Sequence, residues 1–480
     1  MTYCELAPNL KISQVLTGLW QIADMERDGK TLDPQNTAQA IEPYVAAGFT
    51  TFDMADHYGS AEIITGTFRK QNPNDPVQLL TKWVPKPGPV TKSEVREAVQ
   101  LSLDRMQSES LDLLQFHAWN YADPVWLDSL FWLQELKEEG LIRQLGVTNF
   151  DAAHLRVAVA SGIEIVSNQI CYSLIDQRAY GAMTEVCQQY GVKILAFGTL
   201  AGGFLTEKWL NKPEPNVDEE HTWSQMKYKR FIDAAGGWDK FQKLLEALEE
   251  VAEKHQLPMA TVASRFILDQ PAVGGVILGA RLGQSDHIQE NLKIFKTQLD
   301  IEDHQKLQQA QQALNPIPGG CGDEYRKPPF LTASGDLSHH LDNMPQPYEP
   351  EAMRGRQKVF SGTSWEDMAG YCRAIRSGNR ISVSGTTATH GSRSIGGEDA
   401  AAQTHFVIDK IQGAIESLGR SLEDVVRTRI FVNNINDWEA VARAHGERFG
   451  SIQPANTLVE AKLVGEGYLV EIEAEAWVDE

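Results

Sequence analysis

The sequence predicts a parallel (β/α)8 barrel, a TIM barrel, followed by a small α+β domain, and three observations carry that prediction. Short apolar runs alternate with helix-period patterns across residues 12–300, which is the signature of a parallel sheet, either closed into a barrel or open and doubly wound. Successive runs end in polar side chains, which collect at the C-terminal face of such a barrel. Beyond residue 355 the pattern changes to strands with strict alternation and two long helices.

The strand candidates are residues 12–18, 49–52, 78–82, 111–117, 142–148, 165–170, 193–197 and 272–278. Each is short, apolar and rich in β-branched or aromatic residues. Asp33 offers an N-cap and Pro34 a first helical residue for the helix that ends near Gly48, and Pro43 inside it predicts a kink. Thr91 and Glu94 form a capping box ahead of a helix with Val95, Val99 and Leu103 on one face. Asp123 and Pro124 start a helix carrying Trp126, Leu130 and Leu133, and Gly140 closes it. An open dinucleotide-binding sheet needs G-x-G-x-x-G after its first strand; T-G-L-W-Q stands there instead, so the closed barrel is preferred. The connection after Phe197 runs to a helix starting near Lys240 and holds an acidic patch, 214–220. A connection of that length reads as a lid over a ligand or as a disordered loop.

Residues 315–355 are rich in Pro and Gly and lack periodicity, the mark of a linker or extended arm. The expected division is a barrel over 1–320, an arm over 321–355 and a second domain over 356–480. In the second domain, 373–375 and 381–385 read as a hairpin around Gly378 and Asn379. Residues 398–418 and 438–449 read as helices, and 425–432 and the alternating V-E-I-E-A-E-A-W as strands. The order β-β-α-β-α-β-β suggests a sheet with its helices on one face.

The chain has 480 residues, enough for two or three domains, and 42% apolar content supports real cores. A net charge of −21 argues against nucleic acid and anionic membranes as partners. Five cysteines with no CxxC pair read as reduced thiols. The N-terminal M-T-Y-C-E-L-A-P lacks the basic start and apolar core of a signal peptide, and no apolar run is long enough to span a bilayer. The expectation is a cytoplasmic protein with no resident metal.

Three consecutive strands end in chemistry. The second ends at Asp53 with Tyr58 five residues on, the third at Lys82 and the fourth at His117. A buried lysine beside a tyrosine lowers the pKa of a phenol, and an aspartate keeps that lysine charged and oriented. A histidine can hydrogen-bond the same substrate oxygen, and together the four deliver a proton to a carbonyl. Trp20, Trp83, Trp119 and Tyr121 each fall just past a barrel strand. They either line the pocket mouth, implying a partly apolar or aromatic substrate, or pack loops together.

The strings F-D-M-A-D-H-Y-G, L-L-T-K and D-L-L-Q-F-H closely resemble motifs of the aldo-keto reductase superfamily, and the resemblance runs to about residue 320. It implies that Asp53, Tyr58, Lys82 and His117 are the family's catalytic tetrad. G-V-T-N-F, with Thr148 and Asn149, and S-N-Q, with Ser167, Asn168 and Gln169, look like the fifth- and sixth-strand motifs. The resemblance implies that Asn168 and Gln169 hold a nicotinamide carboxamide and that Phe197 stacks on the ring. It places Gly198 and Leu200 beside the cofactor. The segment V-I-L-G-A-R-L-G-Q-S-D-H-I-Q-E-N resembles the adenosine-binding stretch, with Gly279, Arg281 at a 2′-phosphate and Asn291 at the adenine. A guanidinium suits a phosphate, so NADPH is the expected cofactor, with a small carbonyl compound as substrate.

Residues 356–480 resemble the Rid (YjgF/YER057c/UK114) family through G-Y-C-R-A-I-R-S-G-N, V-S-G-T-T, D-V-V-R-T-R-I-F-V, Q-P-A-N-T-L-V-E and V-E-I-E-A, which implies a chorismate mutase-like fold. The family's imine deaminases bind a substrate carboxylate through an arginine where this chain has Asn456. Glu471 matches the glutamate that positions water and Tyr371 the pocket tyrosine, while Arg373, on the same predicted face, offers a substitute cation. Rid domains trimerise, so the unit is expected to assemble the chain as a homotrimer. Three readings follow: a carbonyl reductase with an assembly or small-molecule-binding module, a bifunctional metabolite-damage enzyme that also hydrolyses enamines or imines, and a slow NADPH-binding redox sensor.

Overall fold

The computed structural model describes residues 3–24, 31–217, 222–285, 287–332 and 344–477. Eight parallel strands close into a barrel in chain order: Val15–Gly18, Thr51–Asp53, Gln78–Trp83, Leu113–His117, Leu145–Thr148, Ile165–Cys171, Lys193–Phe197 and Val273–Gly279, the last pairing with both the first and the seventh. Strands of three to seven residues with helices between them are what buried parallel β-strands require.

The expected first strand, 12–18, is divided. Leu10–Ser13 pairs antiparallel with Tyr3–Ala7, and only Val15–Gly18 enters the barrel. The hairpin's Leu6, Leu10 and Ile12 pack against Leu16, Leu80, Leu113, Leu195 and Ile277 inside the barrel. This apolar plug closes the N-terminal mouth and leaves the C-terminal face for chemistry.

Asp33 caps Pro34–Gln39 by accepting a hydrogen bond from the Asn36 amide. The kink expected at Pro43 is a full break, because proline opens a second helix, Glu42–Ala46, where its missing N–H costs nothing. The Thr91–Glu94 capping box starts Lys92–Met106. The long connection after the seventh strand is not featureless. It contains the helix Trp223–Ala234, opened by a Thr222–Gln225 capping box, and the next helix begins at Trp238. Of the acidic patch, 218–220 lie outside the described residues; Glu214 pairs with Lys229.

The last third forms a seven-stranded sheet in the order Glu351–Met353, Arg356–Val359, Ala374–Ser377, Arg380–Thr387, Val470–Trp477, Val425–Val432, Ala455–Glu460. All neighbours are antiparallel except the final pair. The hairpin turns at Gly378, whose φ of 59° suits glycine. Of the 18 residues in Ala400–Ser417, 16 are buried, because one face covers its own sheet and the other packs on the barrel helix Ala152–Ala160. Within the expected arm, 321–332 pack on the barrel and Pro345 sits against Gly88; residues 333–343 lie outside the described residues.

Candidate active site

The tetrad assembles at the open face of the barrel. Asp53 ends the second strand, Tyr58 closes the single turn Asp56–Tyr58, Lys82 is next to last in the third strand and His117 ends the fourth. Lys82 Nζ donates to Asp53 Oδ2 and to the Met54 carbonyl, both at 2.7 Å. Asp53 Oδ1 accepts from Gln169 Nε2 at 2.7 Å and Gln115 Nε2 at 3.1 Å. A buried ion pair is tolerated when its remaining hydrogen-bonding positions are filled in this way. Lys82 Nζ lies 5.3 Å from the centre of the Tyr58 ring, placing its charge beside the phenol. His117 is buried, and neither ring nitrogen has a hydrogen-bond partner among the described residues. Burial, with Arg326 adding to it, holds its pKa well below the ordinary imidazole value, so the ring is neutral and can offer one N–H.

The expected mouth residues separate into two groups. Trp20 meets the Tyr58 ring edge-on at 5.1 Å, and Trp119 meets His117 at 4.5 Å while donating to the Pro85 carbonyl; these two border the tetrad. Trp83 packs on Phe116 in the layer between strands and helices. Tyr121 stacks on His154 at 3.5 Å, and its hydroxyl accepts from Arg326. The pocket-mouth reading therefore fails for Trp83, which the alternation of the strand turns away from Lys82 and the axis.

The same alternation corrects Asn168. Its neighbours Ser167 and Gln169 point to the barrel axis, whereas the Asn168 amide exchanges hydrogen bonds with the Phe150 backbone at 2.9 and 3.4 Å, which ties it to the outer layer. Asn149, in the left-handed region at φ 59°, carries a buried side-chain oxygen with no partner. Thr148 donates to the Gln169 carbonyl, and the Ser167 hydroxyl is buried without a partner under Gly146. Phe197 is half-buried at the end of its strand, followed by Gly198 at φ 72°, where a side chain would collide with the Tyr228 hydroxyl. Leu200 leads into the turn Ala201–Gly203. Gly279 ends the eighth strand against the Gln21 side chain, Arg281 is exposed, and Asn291 lies on Ile288–Ile294. The unpartnered Asn149 and Thr199 oxygens, the half-open Phe197 ring, the glycine-lined backbone and an exposed guanidinium fit a nicotinamide dinucleotide.

Sequence reasoning missed three residues that border this face. Trp223 packs near Trp20 with ring centres 6.1 Å apart. Lys227 is buried with Nζ 5.0 Å from the Phe197 ring centre and donates to the Tyr325 hydroxyl at 2.6 Å. Tyr325 in turn has its ring centre 6.0 Å from His117. The T-x-x-Q string at 222–225 is the signal that could have located the helix carrying the first two.

In the C-terminal sheet the candidates do not all converge. Arg373 hydrogen-bonds the Gly385 carbonyl and Thr386 hydroxyl at 2.8 Å, donates to the Tyr371 hydroxyl at 3.1 Å and pairs with the buried Glu366 at 3.4 Å. It is committed to the fold, which removes it as a substitute substrate cation. Glu471 lies against Gly385; burial and Glu473 raise its pKa, and Arg373 offsets part of that rise. Asn456 pairs in register with Thr428, while Glu471 pairs with Phe431. Three residues of offset put the two side chains on opposite faces of the sheet, and Asn456 donates to the Thr428 hydroxyl at 2.9 Å.

The (β/α)8 barrel thus gathers a buried Lys–Asp pair, a phenol and a neutral imidazole at its open end. The chain belongs to the aldo/keto reductase family, whose family model matches residues 14–312. The model described as Endoribonuclease L-PSP matches residues 362–478. The chain is 31% identical to Protein tas of Escherichia coli over 43% of its own length and 64% of that protein. It is 25% identical to the NADH-specific methylglyoxal reductase of E. coli over 64% of this chain and 97% of that one. The crystal structure of Rv2704 from Mycobacterium tuberculosis, a member of the YjgF/YER057c/UK114 family, is 43% identical over 26% of this chain and 99% of that one, with a TM-score of 0.24. The last third is similar to the family of the Endoribonuclease L-PSP model. No helix among the described residues is long and apolar enough to cross a membrane.

Proposed function

We propose that the barrel is an NADPH-dependent oxidoreductase that reduces an aldehyde or ketone, with Tyr58 as proton donor. The observation that carries this is the joint placement of Lys82 Nζ, 2.7 Å from Asp53 and 5.3 Å from the Tyr58 ring, beside a buried neutral His117. The cofactor, when bound, supplies the hydride. Tyr58 gives its hydroxyl proton to the carbonyl oxygen, and the Lys82 charge stabilises the phenolate left behind. Asp53 serves Lys82 rather than substrate, and the His117 N–H holds the same carbonyl oxygen. Trp20 and Trp119 keep water from the reacting atoms.

Asn149, Gln169 and Phe197 would take the nicotinamide end, and Arg281 the 2′-phosphate. That guanidinium favours NADPH, although a relative at 25% identity is named as NADH-specific. A carbonyl substrate screen followed by cofactor absorbance, run with NADPH and NADH in parallel, tests both points. Loss of turnover in Tyr58→Phe is the expected result; unchanged turnover would overturn the tetrad assignment, whereas cofactor binding without appreciable turnover of any carbonyl would favour the redox-sensor reading.

The C-terminal unit is proposed to assemble the chain as a homotrimer. Val426, Val459 and Trp477 are exposed at 49%, 43% and 52%, apolar side chains that a subunit contact would cover. Light scattering should return three times the 53.4 kDa chain mass; a monomer removes the idea. The committed Arg373 and the outlying Asn456 weigh against imine hydrolysis by this unit. Five free cysteines suit a reducing, cytoplasmic setting.

A further inference from the structure

The segment after the barrel does more than lead to the second domain. Arg178 holds it down, donating to the Gly320 carbonyl at 2.7 Å and pairing with Glu324 at 2.8 Å. Gly322, at φ 82°, lies so close to the Asn149 carbonyl that any side chain there would collide with it. That approach lets the single turn Asp323–Arg326 set two side chains on the open face. Tyr325 faces His117 and Lys227, as described. Arg326 donates through Nη2 to the Tyr121 hydroxyl at 2.6 Å and to the Asn149 carbonyl.

The rest of the Arg326 guanidinium is unspent. Nε and Nη1 are buried and have no hydrogen-bond partner, and Arg326 makes no ion pair among the described residues. The nearby acids have other commitments. Asp151 pairs with His154 at 2.7 Å, Glu324 with Arg178 at 2.8 Å, and Asp323 accepts from the Gly320 amide through Oδ2 at 2.9 Å; these acids raise the Arg326 pKa, and Asp323 Oδ1 is buried without a partner, but none hydrogen-bonds the guanidinium. A buried charged donor without an acceptor is costly, and two on one side chain suit an acceptor that arrives from outside. Arg326 also acts on the tetrad: its charge helps to lower the His117 pKa, and the ring of its neighbour Tyr325 lies 6.0 Å from the His117 ring.

Arg326 is also held in place before any ligand arrives. The Tyr121 ring lies between its guanidinium, 4.6 Å from the ring centre, and the His154 imidazole at 3.5 Å. His154 is fixed in turn by Asp151 and by Asp409 of the second domain. Pre-set donors lose little freedom on binding.

We propose that Arg326 receives the carboxylate of an oxo acid or aldehyde acid whose carbonyl oxygen lies at Tyr58 and His117. This rests on the reductase reading and names its substrate class. Charge-assisted bonds to a carboxylate fill the unspent donors, whereas a neutral aldehyde leaves them empty.

The test compares 4-carboxybenzaldehyde with its uncharged methyl ester, methyl 4-formylbenzoate, as substrates of the full chain with NADPH. The acid should be favoured in kcat/KM by about tenfold or more, chiefly through KM. Terephthalate, which cannot be reduced, should compete with the ester. Arg326→Met should bring the preference to about one, and Arg326→Lys should keep part of it. Equal use of acid and ester by the unaltered chain overturns the anion site while leaving the reductase reading intact. A preference that survives in Arg326→Met does the same, and should that variant not fold, absence of competition by terephthalate decides against the site. Turnover of neither aldehyde removes both readings.

Discussion

The two ends of the molecule carry equally recognisable motifs, yet only one gathers them into a site within a single chain. In the barrel, Asp53, Lys82 and His117 come from three successive strands whose ends lie on one rim, so the closed sheet brings them together. In the C-terminal sheet, Asn456 and Glu471 are offset by three rungs and point to opposite faces, and Arg373 is consumed by Glu366 and backbone carbonyls. A matched motif supplies residue types; register and spare hydrogen-bonding capacity decide whether they can act.

Substitutions can break or sharpen this contrast. The largest effect is expected from Tyr58→Phe, which removes the proton donor and should lower kcat by about 10²–10⁴-fold, with cofactor binding retained by fluorescence titration. Next comes Arg373→Met. It leaves Glu366 buried without its cation and should destabilise the C-terminal unit by about 3–5 kcal/mol, read from denaturant unfolding. If Arg373 were instead a substrate cation, the loss would appear in ligand binding with stability unchanged.

The smallest effect concerns the boundary between the two ends. Burial pushes the His154 pKa down, but Asp151 and Asp409 more than offset this and raise it. Burial likewise works against the charged Asp409, and His154 and Arg448 more than offset it, so its pKa is lowered. The His154 contribution is complete below about pH 6.5 and is lost as pH rises through its raised value. The Asp409 contribution is complete above about pH 3.9 and is lost as pH falls through its lowered value. Asp409→Asn should cost about 1–3 kcal/mol near neutral pH and flatten the upper limb of a Tm-against-pH curve. An unchanged limb would mean that the two ends are not electrostatically joined there.

Much of the barrel was legible because each strand is a short apolar run with a polar terminus, and period-two alternation is a local property. That Asp53, Tyr58, Lys82 and His117 share one rim was legible for the same reason. What escaped is held by distant partners. Arg326 sits in a stretch with no periodicity, fixed by Arg178, Tyr121 and Asn149, and nothing local announces that. Residues 12–18 read as one strand because both halves are apolar; only the pairing of Leu10–Ser13 with Tyr3–Ala7 separates them. Asn168 was placed in the cofactor site by the resemblance of S-N-Q to a family motif, although adjacent strand residues must face opposite ways.

The shared helix Ala400–Ser417 has a consequence for how the chain is made. Arg156 and Asp399 pair across 243 residues of sequence, and His154 and Asp409 across 255. At roughly 5–20 residues per second of synthesis, the barrel helix Ala152–Ala160 leaves the ribosome on the order of tens of seconds before its cover exists. During that interval the face that will be buried is dressed by Asp151, His154 and Arg156, side chains that water solvates well. The polar clamp between the two ends thus doubles as protection for a half-finished protein, keeping an unoccupied docking face from sticking to its neighbours.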